Sequence, residues 1–164
     1  MIPKGHQTGR WRLILDLSHP DGRLVNDGIE PELCSLSYSS VDEAVRLIRE
    51  KGTGAQLAKL DLESAYRMIP VHPDDRLLLG MEWKGQLFID TALLFGLRSA
   101  PKVFTAVADA LMWIFRKYGV CAGLHYLDDY LLVGAPDSNE CQQAIALALK
   151  ICEWLGVRVS IHKL

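Results

Sequence analysis

The chain has 164 residues, of which 49% are hydrophobic, so it is long and apolar enough to bury the core of one domain. Its net charge of −2 argues mildly against a free-standing nucleic-acid-binding protein, and less against a catalytic fragment whose acidic residues are themselves functional. No apolar run approaches the ~20 residues of a membrane span, the N-terminus lacks a secretory signal, and the four cysteines have no metal-ligand spacing, so we expect an intracellular protein, cytoplasmic or nuclear, with reduced thiols.

The first third of the chain predicts a strand, a loop and a helix. Alternating aliphatic residues over 11–17 indicate the strand, and residues 18–39 are rich in the types that form loops. Ser40 and Glu43 have the spacing of a capping box, and Gly52 ends the helix that they begin.

The middle third predicts a buried strand over 55–62, a hairpin over 77–90 that turns at Lys84-Gly85, and a second helix. Pro101 opens this helix at a position where its missing N–H costs nothing, and Gly119 ends it. Five residues at helical spacing form its predicted apolar stripe: Phe104, Val107, Leu111, Ile114 and Phe115.

The last third predicts two short strands within 120–134 and a third helix. Asp137 and Glu140 resemble a capping box at the start of this helix, and Gly156 stops it. Residues 157–161 predict a final edge strand. This order of elements predicts an α+β domain with helices packed on one face of a mostly antiparallel sheet.

Three aspartates carry the chemical signal. Asp61 ends an apolar strand, and Asp128 and Asp129 are adjacent at the turn of an apolar hairpin. Buried carboxylates must be solvated, paired or metal-bound, and three of them would converge if the strand lies beside the hairpin. Such oxygen ligands suit Mg²⁺ or Mn²⁺, and two ions about 4 Å apart support phosphoryl transfer. Spacing alone leaves open that these are solvated turn residues.

Five segments resemble the motifs of reverse transcriptases, in that family's order. Tyr126–Asp129 resembles the YxDD box, Lys59–Tyr66 the first aspartate motif, and Leu94–Pro101 the Phe-Gly-Leu…Ala-Pro motif. Trp11–Ser18 resembles the fingers strand, and Leu155–Lys163 the late palm motif. The stretch over residues 72–101 is most similar to retrotransposons of the LTR and tyrosine-recombinase (DIRS-like) groups.

The resemblance implies a polymerase palm with partial fingers: residues 1–54 as fingers, 55–164 as palm, and a fingers insertion around 77–95. It implies an RNA-directed DNA polymerase that uses an RNA or DNA template, a primer strand and deoxynucleoside triphosphates. Both ends of the sequence look cut, so we expect a fragment of a longer polyprotein that lacks the thumb and RNase H regions.

The same resemblance assigns metal ligands. Asp61, Asp128 and Asp129 would be the catalytic residues of a site for two Mg²⁺ or Mn²⁺ ions. Asp61 and Asp128 would hold both ions, Asp129 would join and support this metal site, and the backbone carbonyl of Leu62 would complete a metal shell. Lys163 would lie near the pyrophosphate leaving group as a possible proton donor.

It also assigns nucleotide contacts. Tyr66 would lie under the incoming sugar and exclude a ribose 2′-hydroxyl by sterics. Arg12 would reach the triphosphate, with which a guanidinium makes bidentate contacts. The remaining contacts would come from the backbone N–H groups of Ser64 and Ala65, which would receive triphosphate oxygens, and from Phe95 and Gly96, which would pack beside the nascent base pair.

Three alternatives compete with an active polymerase. The chain could be a catalytically inactive remnant of a retroelement, although the aspartates show no disruptive change. A nucleotide cyclase would need a Gly-Gly-Asp hairpin in place of Tyr126–Asp129. A pure RNA-binding module would need a run of exposed aromatic and basic residues, and the sequence has no such run.

Overall fold

A computed structural model describes residues 2–3, 11–18 and 22–160. The chain packs as two compact units: the first comprises residues 1–35 and 66–103, and the second comprises residues 36–65 and 104–164. The fold mixes helices with antiparallel strands, as the α+β prediction requires. The division into partial fingers and palm stays a prediction.

In chain order, the strands and α-helices are β1 (Ile2–Pro3), β2 (Trp11–Arg12), α1 (Val41–Lys51), β3 (Gln56–Asp61), β4 (Gly80–Trp83), β5 (Gln86–Ile89), α2 (Ala100–Tyr118), β6 (Gly123–Tyr126), β7 (Asp129–Gly134) and α3 (Glu140–Leu155). Short 3-10 helices cover Val25–Gly28, Pro31–Cys34, Ala65–Met68 and Pro73–Leu79. Among the described residues, no helix combines the length and the apolarity that crossing a membrane requires.

The predicted strand over 11–17 is wrong in its extent. Only Trp11 and Arg12 form a ladder, antiparallel to β1, and residues 13–17 follow as irregular backbone. Leu17 is nevertheless buried, in a cluster with Leu79 and Leu94. Leu13 and Ile14 are exposed, so the aliphatic pattern corresponds neither to continuous pairing with a partner strand nor to continuous burial.

The predicted hairpin of the first unit is confirmed over β4 and β5, although Pro73–Leu79 forms a 3-10 helix where the prediction began the first strand. Lys84 and Gly85 both have positive φ, of 53° and 73°. Positive φ at both central residues is the geometry of a type I′ turn, which matches the twist of the flanking strands.

The second unit contains a three-stranded antiparallel sheet in the order β3-β7-β6. The predicted capping box of α1 is confirmed: the Ser40 hydroxyl accepts from Glu43 N–H at 3.1 Å, and the Glu43 carboxylate accepts from Ser40 N–H at 2.8 Å. Gly52 ends the helix at a φ of 94°.

Helices α2 and α3 pack on the same face of this sheet. Tyr130 on β7 donates its hydroxyl to the Ala108 carbonyl of α2 at 3.3 Å, and its ring meets Phe115 edge-on. A Cβ added at Gly134, on the same face, would lie 2.5 Å from the backbone nitrogen of Cys141 in α3. The opposite face of the sheet carries Asp129 and the residues paired with it.

The predicted apolar stripe of α2 is mostly correct. Phe104, Leu111 and Phe115 are buried, and Ile114 is partly buried. Val107 is the exception, because it is 43% exposed, and Ala108 and Met112 are buried instead.

The predicted capping box at Asp137 and Glu140 is wrong. Asn139 is the N-cap of α3 and makes no side-chain cap bond, while the Glu140 carboxylate accepts from Ala135 N–H at 3.0 Å and from Lys51 Nζ at 2.8 Å. Gly156 ends α3 in the left-handed conformation, as predicted. Of the predicted last strand, Val159 forms an antiparallel bridge with Leu62, and residue 161 lies outside the described residues.

Candidate active site

A tight hairpin presents the adjacent aspartates at one end of the sheet. Tyr126 pairs with Asp129, so that only Leu127 and Asp128 form the loop between β6 and β7. Leu127 has a φ of 51°, whereas Asp128 does not have a positive φ. This combination corresponds to a II′-type turn, whose first central position favours glycine. A leucine held there stores on the order of 1–3 kcal/mol of backbone strain.

Asp61 lies directly opposite this hairpin end. It pairs in register with Asp129 across the β3–β7 ladder, and residues directly opposite each other in an antiparallel pair project from the same face. The next residue, Leu62, donates its backbone N–H to the Asp128 carbonyl at 3.0 Å. The fold therefore brings the backbones of the first aspartate motif and the Asp-Asp turn into direct contact.

Asp61 and Asp129 differ in their surroundings. Asp61 is 4% exposed, whereas the Asp129 side chain is 46% exposed. Lys59, two residues before Asp61 on the same face, places Nζ 2.8 Å from Asp129 Oδ1. Asp129 Oδ1 itself is shielded from solvent and makes no hydrogen bond, so the contact is an ion pair between two side chains that are otherwise about half exposed. Such a pair contributes little stability but reduces the negative charge beside Asp61.

The three aspartates do not form a ready-made three-carboxylate cage. Within residues 2–3, 11–18 and 22–160, no group of three or more histidine, cysteine, aspartate or glutamate side chains is arranged to hold a metal ion. Mutual repulsion of like charges and the Lys59–Asp129 pair both oppose such clustering. The backbones of the three acids nevertheless meet at one end of the sheet.

The segment after α3 forms backbone hydrogen bonds with the end of β3 that carries Asp61. Ser160 N–H donates to the Asp61 carbonyl at 2.8 Å, and Glu63 N–H donates to the Arg158 carbonyl at 2.8 Å. These bonds flank the bridge between Leu62 and Val159. Ser64 follows Glu63 and precedes the 3-10 helix that begins at Ala65. Ser64 is exposed and has a φ of 58°, whereas Ala65 is buried.

A histidine behind the hairpin was missed by the sequence prediction. His125 is 9% exposed, its Nε2 lies 2.9 Å from Asp109 Oδ1 on α2, and its ring stacks on Tyr130 at 5.4 Å. Burial raises the pKa of Tyr130, so that its hydroxyl stays protonated and donates to Ala108. A lone histidine in a strand gives no sequence signal for this pairing.

The remaining predicted residues belong to the first unit. Tyr66 is buried, with its ring centroid 4.8 Å from that of Phe95 at an interplanar angle of 47°. Gly96 has a φ of 101°, and a Cβ added there would collide with the Leu15 carbonyl oxygen. The backbone of Arg12 pairs with Ile2 in the β1–β2 ladder. Lys163 lies outside the described residues.

Asn26 is a second residue that the sequence prediction missed. It is 2% exposed, and its side-chain amide bonds to the loop that contains Gly96. In the sequence it is one polar residue within the predicted 18–39 loop, where asparagine is common for local reasons. Only the tertiary fold distinguishes it.

Solved structures with a similar fold are known. The crystal structure of prototype foamy virus protease-reverse transcriptase matches 97% of this chain and 19% of its own length, with a TM-score of 0.69 at 24% identity. A second structure, of the foamy viral enzyme in complex with an RNA/DNA hybrid, matches 65% of this chain and 14% of its own, with a TM-score of 0.57 at 22% identity. The observed fold is thus similar to part of a reverse transcriptase.

Sequence comparison defines the family. The Gag-Pol polyprotein of Koala retrovirus is 32% identical over 112 residues, which are 63% of this chain and 6% of the polyprotein. The family model for reverse transcriptase (RNA-dependent DNA polymerase) matches residues 2–164. The chain therefore belongs to the reverse transcriptase family, as its motifs predicted, and it spans a small part of the length of the relatives that it matches.

Proposed function

We propose that this chain carries the nucleotide-joining centre of an RNA-directed DNA polymerase that works by a two-metal mechanism. The observation that carries the proposal is the register of β3 with β7, which sets Asp61 opposite Asp129. Asp128 occupies the strained turn and bonds through its carbonyl to Leu62 N–H. Acids more than sixty residues apart in the sequence thus belong to one end of one sheet.

The oxygen donors at this end fit a hard divalent cation. Asp61 is a buried carboxylate at the end of β3. Asp128 is hydrogen-bonded through its backbone to Leu62, the residue after Asp61, and the Leu62 carbonyl is a further oxygen donor. We assign Asp129 a supporting part, because Lys59 already compensates its charge. When bound, two Mg²⁺ or Mn²⁺ ions would activate the attacking primer hydroxyl and neutralise charge on the leaving phosphate oxygen.

The chain's own residues would then orient the nucleotide. The Tyr66 ring, backed by Phe95, would form the wall that a ribose 2′-hydroxyl meets. Backbone N–H groups of Ser64 and Ala65 would receive triphosphate oxygens, and Arg12 would contact the same group. Phe95 and Gly96 would pack beside the nascent base pair. Lys163 remains our candidate proton donor.

The template and primer are proposed from the family. The foamy viral relative has been solved with an RNA/DNA hybrid, and we propose that this chain acts on the same kind of duplex with deoxynucleoside triphosphates. Its net charge of −2 supplies little phosphate attraction of its own. We therefore propose that thumb and RNase H regions of a longer parent polyprotein grip the duplex.

The test is primer extension on an RNA template with Mg²⁺, using the chain joined to its natural downstream sequence. We expect Asp128→Asn to lower incorporation by at least about 10²-fold, the scale of losing one group that stabilises transition-state charge. Asp137→Asn is the matched control, because Asp137 is exposed in a loop and asparagine tolerates its φ of 53°.

Two outcomes would contradict the proposal. Incorporation that survives Asp128→Asn would remove the metal assignment. An unsubstituted protein that is folded, binds duplex and incorporates nothing would favour the inactive-remnant alternative.

A further inference from the structure

Asn26 is a buried hub of hydrogen bonds in the first unit. Its Nδ2 donates to the Gly96 carbonyl at 2.8 Å and to the Ser18 hydroxyl at 2.8 Å, and its Oδ1 accepts from Arg98 N–H at 2.7 Å. Both amide hydrogens and the carbonyl oxygen are therefore engaged. An asparagine satisfied in this way at 2% exposure fixes the groups around it, because each lost bond would leave a buried polar atom unpaired.

The loop that Asn26 holds has little freedom to move. Gly96 has a φ of 101° and lies so close to the Leu15 carbonyl that no side chain would fit. The Arg98 side chain adds a further hydrogen bond to the segment that contains Asn26, since its Nη1 donates to the Ile29 carbonyl at 2.6 Å. The loop is thus bonded on both sides of Leu97 to the segment that contains Asn26.

Phe95 immediately precedes Gly96, the glycine that is hydrogen-bonded to Asn26. Its ring centroid lies 4.8 Å from that of Tyr66, a distance typical of a favourable aromatic pair, and the two rings are tilted by 47°. Because the backbone of Gly96 is fixed by Asn26, the side chain one residue earlier is held against Tyr66. The chain of contacts runs from Asn26 through Gly96 and Phe95 to Tyr66.

We propose that Asn26 is a positioning residue for sugar selection. It holds the 95–98 loop so that Phe95 keeps the Tyr66 ring from tilting aside, and a rigid ring excludes the 2′-hydroxyl of a ribonucleoside triphosphate. This inference rests on the proposed polymerase function, and it assigns sugar discrimination to a side chain that would not touch the nucleotide.

The experiment compares single-nucleotide incorporation of a deoxynucleoside triphosphate and the matching ribonucleoside triphosphate by the same extended chain. We expect Asn26→Ala to lower the ratio of their kcat/KM values by about tenfold, since a displacement of 1 Å can cost up to about 10²-fold in an oriented site. Asn26→Asp keeps the acceptor for Arg98 but faces the Gly96 carbonyl with an oxygen, so we expect it to lower the ratio too.

Tyr66→Ala is the reference for lost discrimination. Asn139→Ala is the matched control, because Asn139 makes no side-chain cap bond to α3. A purely structural role for Asn26 would reduce the folded fraction, which scales both kcat/KM values equally and leaves their ratio unchanged. The ratio therefore separates positioning from stability, even for a poorly folding variant.

An unchanged ratio in both Asn26 variants, alongside a lowered ratio in Tyr66→Ala, would overturn this inference and leave the polymerase proposal standing. Failure of the unsubstituted protein to incorporate either nucleotide would overturn the polymerase proposal, and this inference with it. A lowered ratio in the Asn26 variants with no change in Asn139→Ala would support it.

Discussion

Leu127 has a backbone conformation that glycine favours, at the turn between Tyr126 and Asp129. The left-handed region costs an L-residue roughly 1–2 kcal/mol. The strained residue directly precedes Asp128 and Asp129 at the end of the sheet. Strain at such a position is common where backbone geometry serves a site.

We expect Leu127→Gly to raise the free energy of unfolding by about 1 kcal/mol, because glycine has no Cβ penalty at this φ. Leu127→Val should lower it by a similar amount, since β-branched residues are genuine outliers at positive φ. Urea denaturation followed by circular dichroism measures both. A glycine variant less stable than the parent would show that the Leu127 side chain contributes more through packing than the turn loses in strain.

The residues that the sequence prediction missed are those whose role depends on distant partners. Asp61, Asp128 and Asp129 were conspicuous because acids are rare between apolar strands. Asn26 and His125 have no such contrast with their neighbours, and their partners, Gly96 and Asp109, are fixed only by the tertiary fold.

At the scale of elements, an ion pair joins the 3-10 helix Ala65–Met68 to the residue after β5. Arg67 Nη1 lies 2.6 Å from Asp90 Oδ1, which also accepts from Ala92 N–H at 3.2 Å. Burial alone would raise the pKa of Asp90, but the hydrogen bond and charge of Arg67 and the Ala92 N–H outweigh it, and the pKa is lowered. A lowered pKa in the folded state stabilises the protein above the unfolded-state value near 4.

We therefore expect Asp90→Asn to lower the free energy of unfolding by about 1 kcal/mol at pH 7. The expected effect is small because Arg67 is 44% exposed and solvent weakens the ion pair. The difference from the parent should shrink as the pH falls from about 5 through the lowered folded-state pKa, where the parent loses the same charge. Chemical denaturation at pH 7 and pH 3 measures it. Exposed Asp75→Asn is the control, and a pH-independent difference would contradict the assignment.

Elements that depend on local chemistry were predictable from the sequence. The capping box at Ser40, the turn at Lys84-Gly85 and the stop at Gly156 each require only neighbouring residues. The strand over 11–17 failed because a strand also needs a partner edge. The cap at Asp137 failed because Glu140 bonds to Lys51, 89 residues away, instead of to the start of its own helix.

At the scale of the whole molecule, the expectation of unpaired thiols agrees with the structure: Cys34, Cys121, Cys141 and Cys152 are all free. They differ in burial, since Cys121 is exposed, Cys34 is intermediate, and the other two are buried. Burial raises the pKa of Cys152 to about 11 and also raises that of Cys141. Thiolate is the reactive form, so both buried thiols are doubly protected.

We expect a thiol reagent at pH 8 to modify Cys121 first and Cys34 second, and to reach Cys141 and Cys152 only after denaturant unfolds the chain. Mass spectrometry of timed samples measures the order. Cys121→Ser should remove the fast phase and leave the slow phase unchanged. Rapid modification of Cys152 in the native protein would show that the second unit opens far more often than its packing implies.

The bond from Ser160 N–H to the Asp61 carbonyl has a consequence for biosynthesis. The ribosome extends a chain from its N-terminus at about 5–20 residues per second, so Asp61 is made with about a hundred residues still to come before Ser160. During that interval the Asp61 carbonyl lacks the hydrogen bond from Ser160 N–H. A chain that ended before residue 160 could still pair Asp61 on β3 with Asp129 on β7, but it would lack the hydrogen bond that fixes the end of β3.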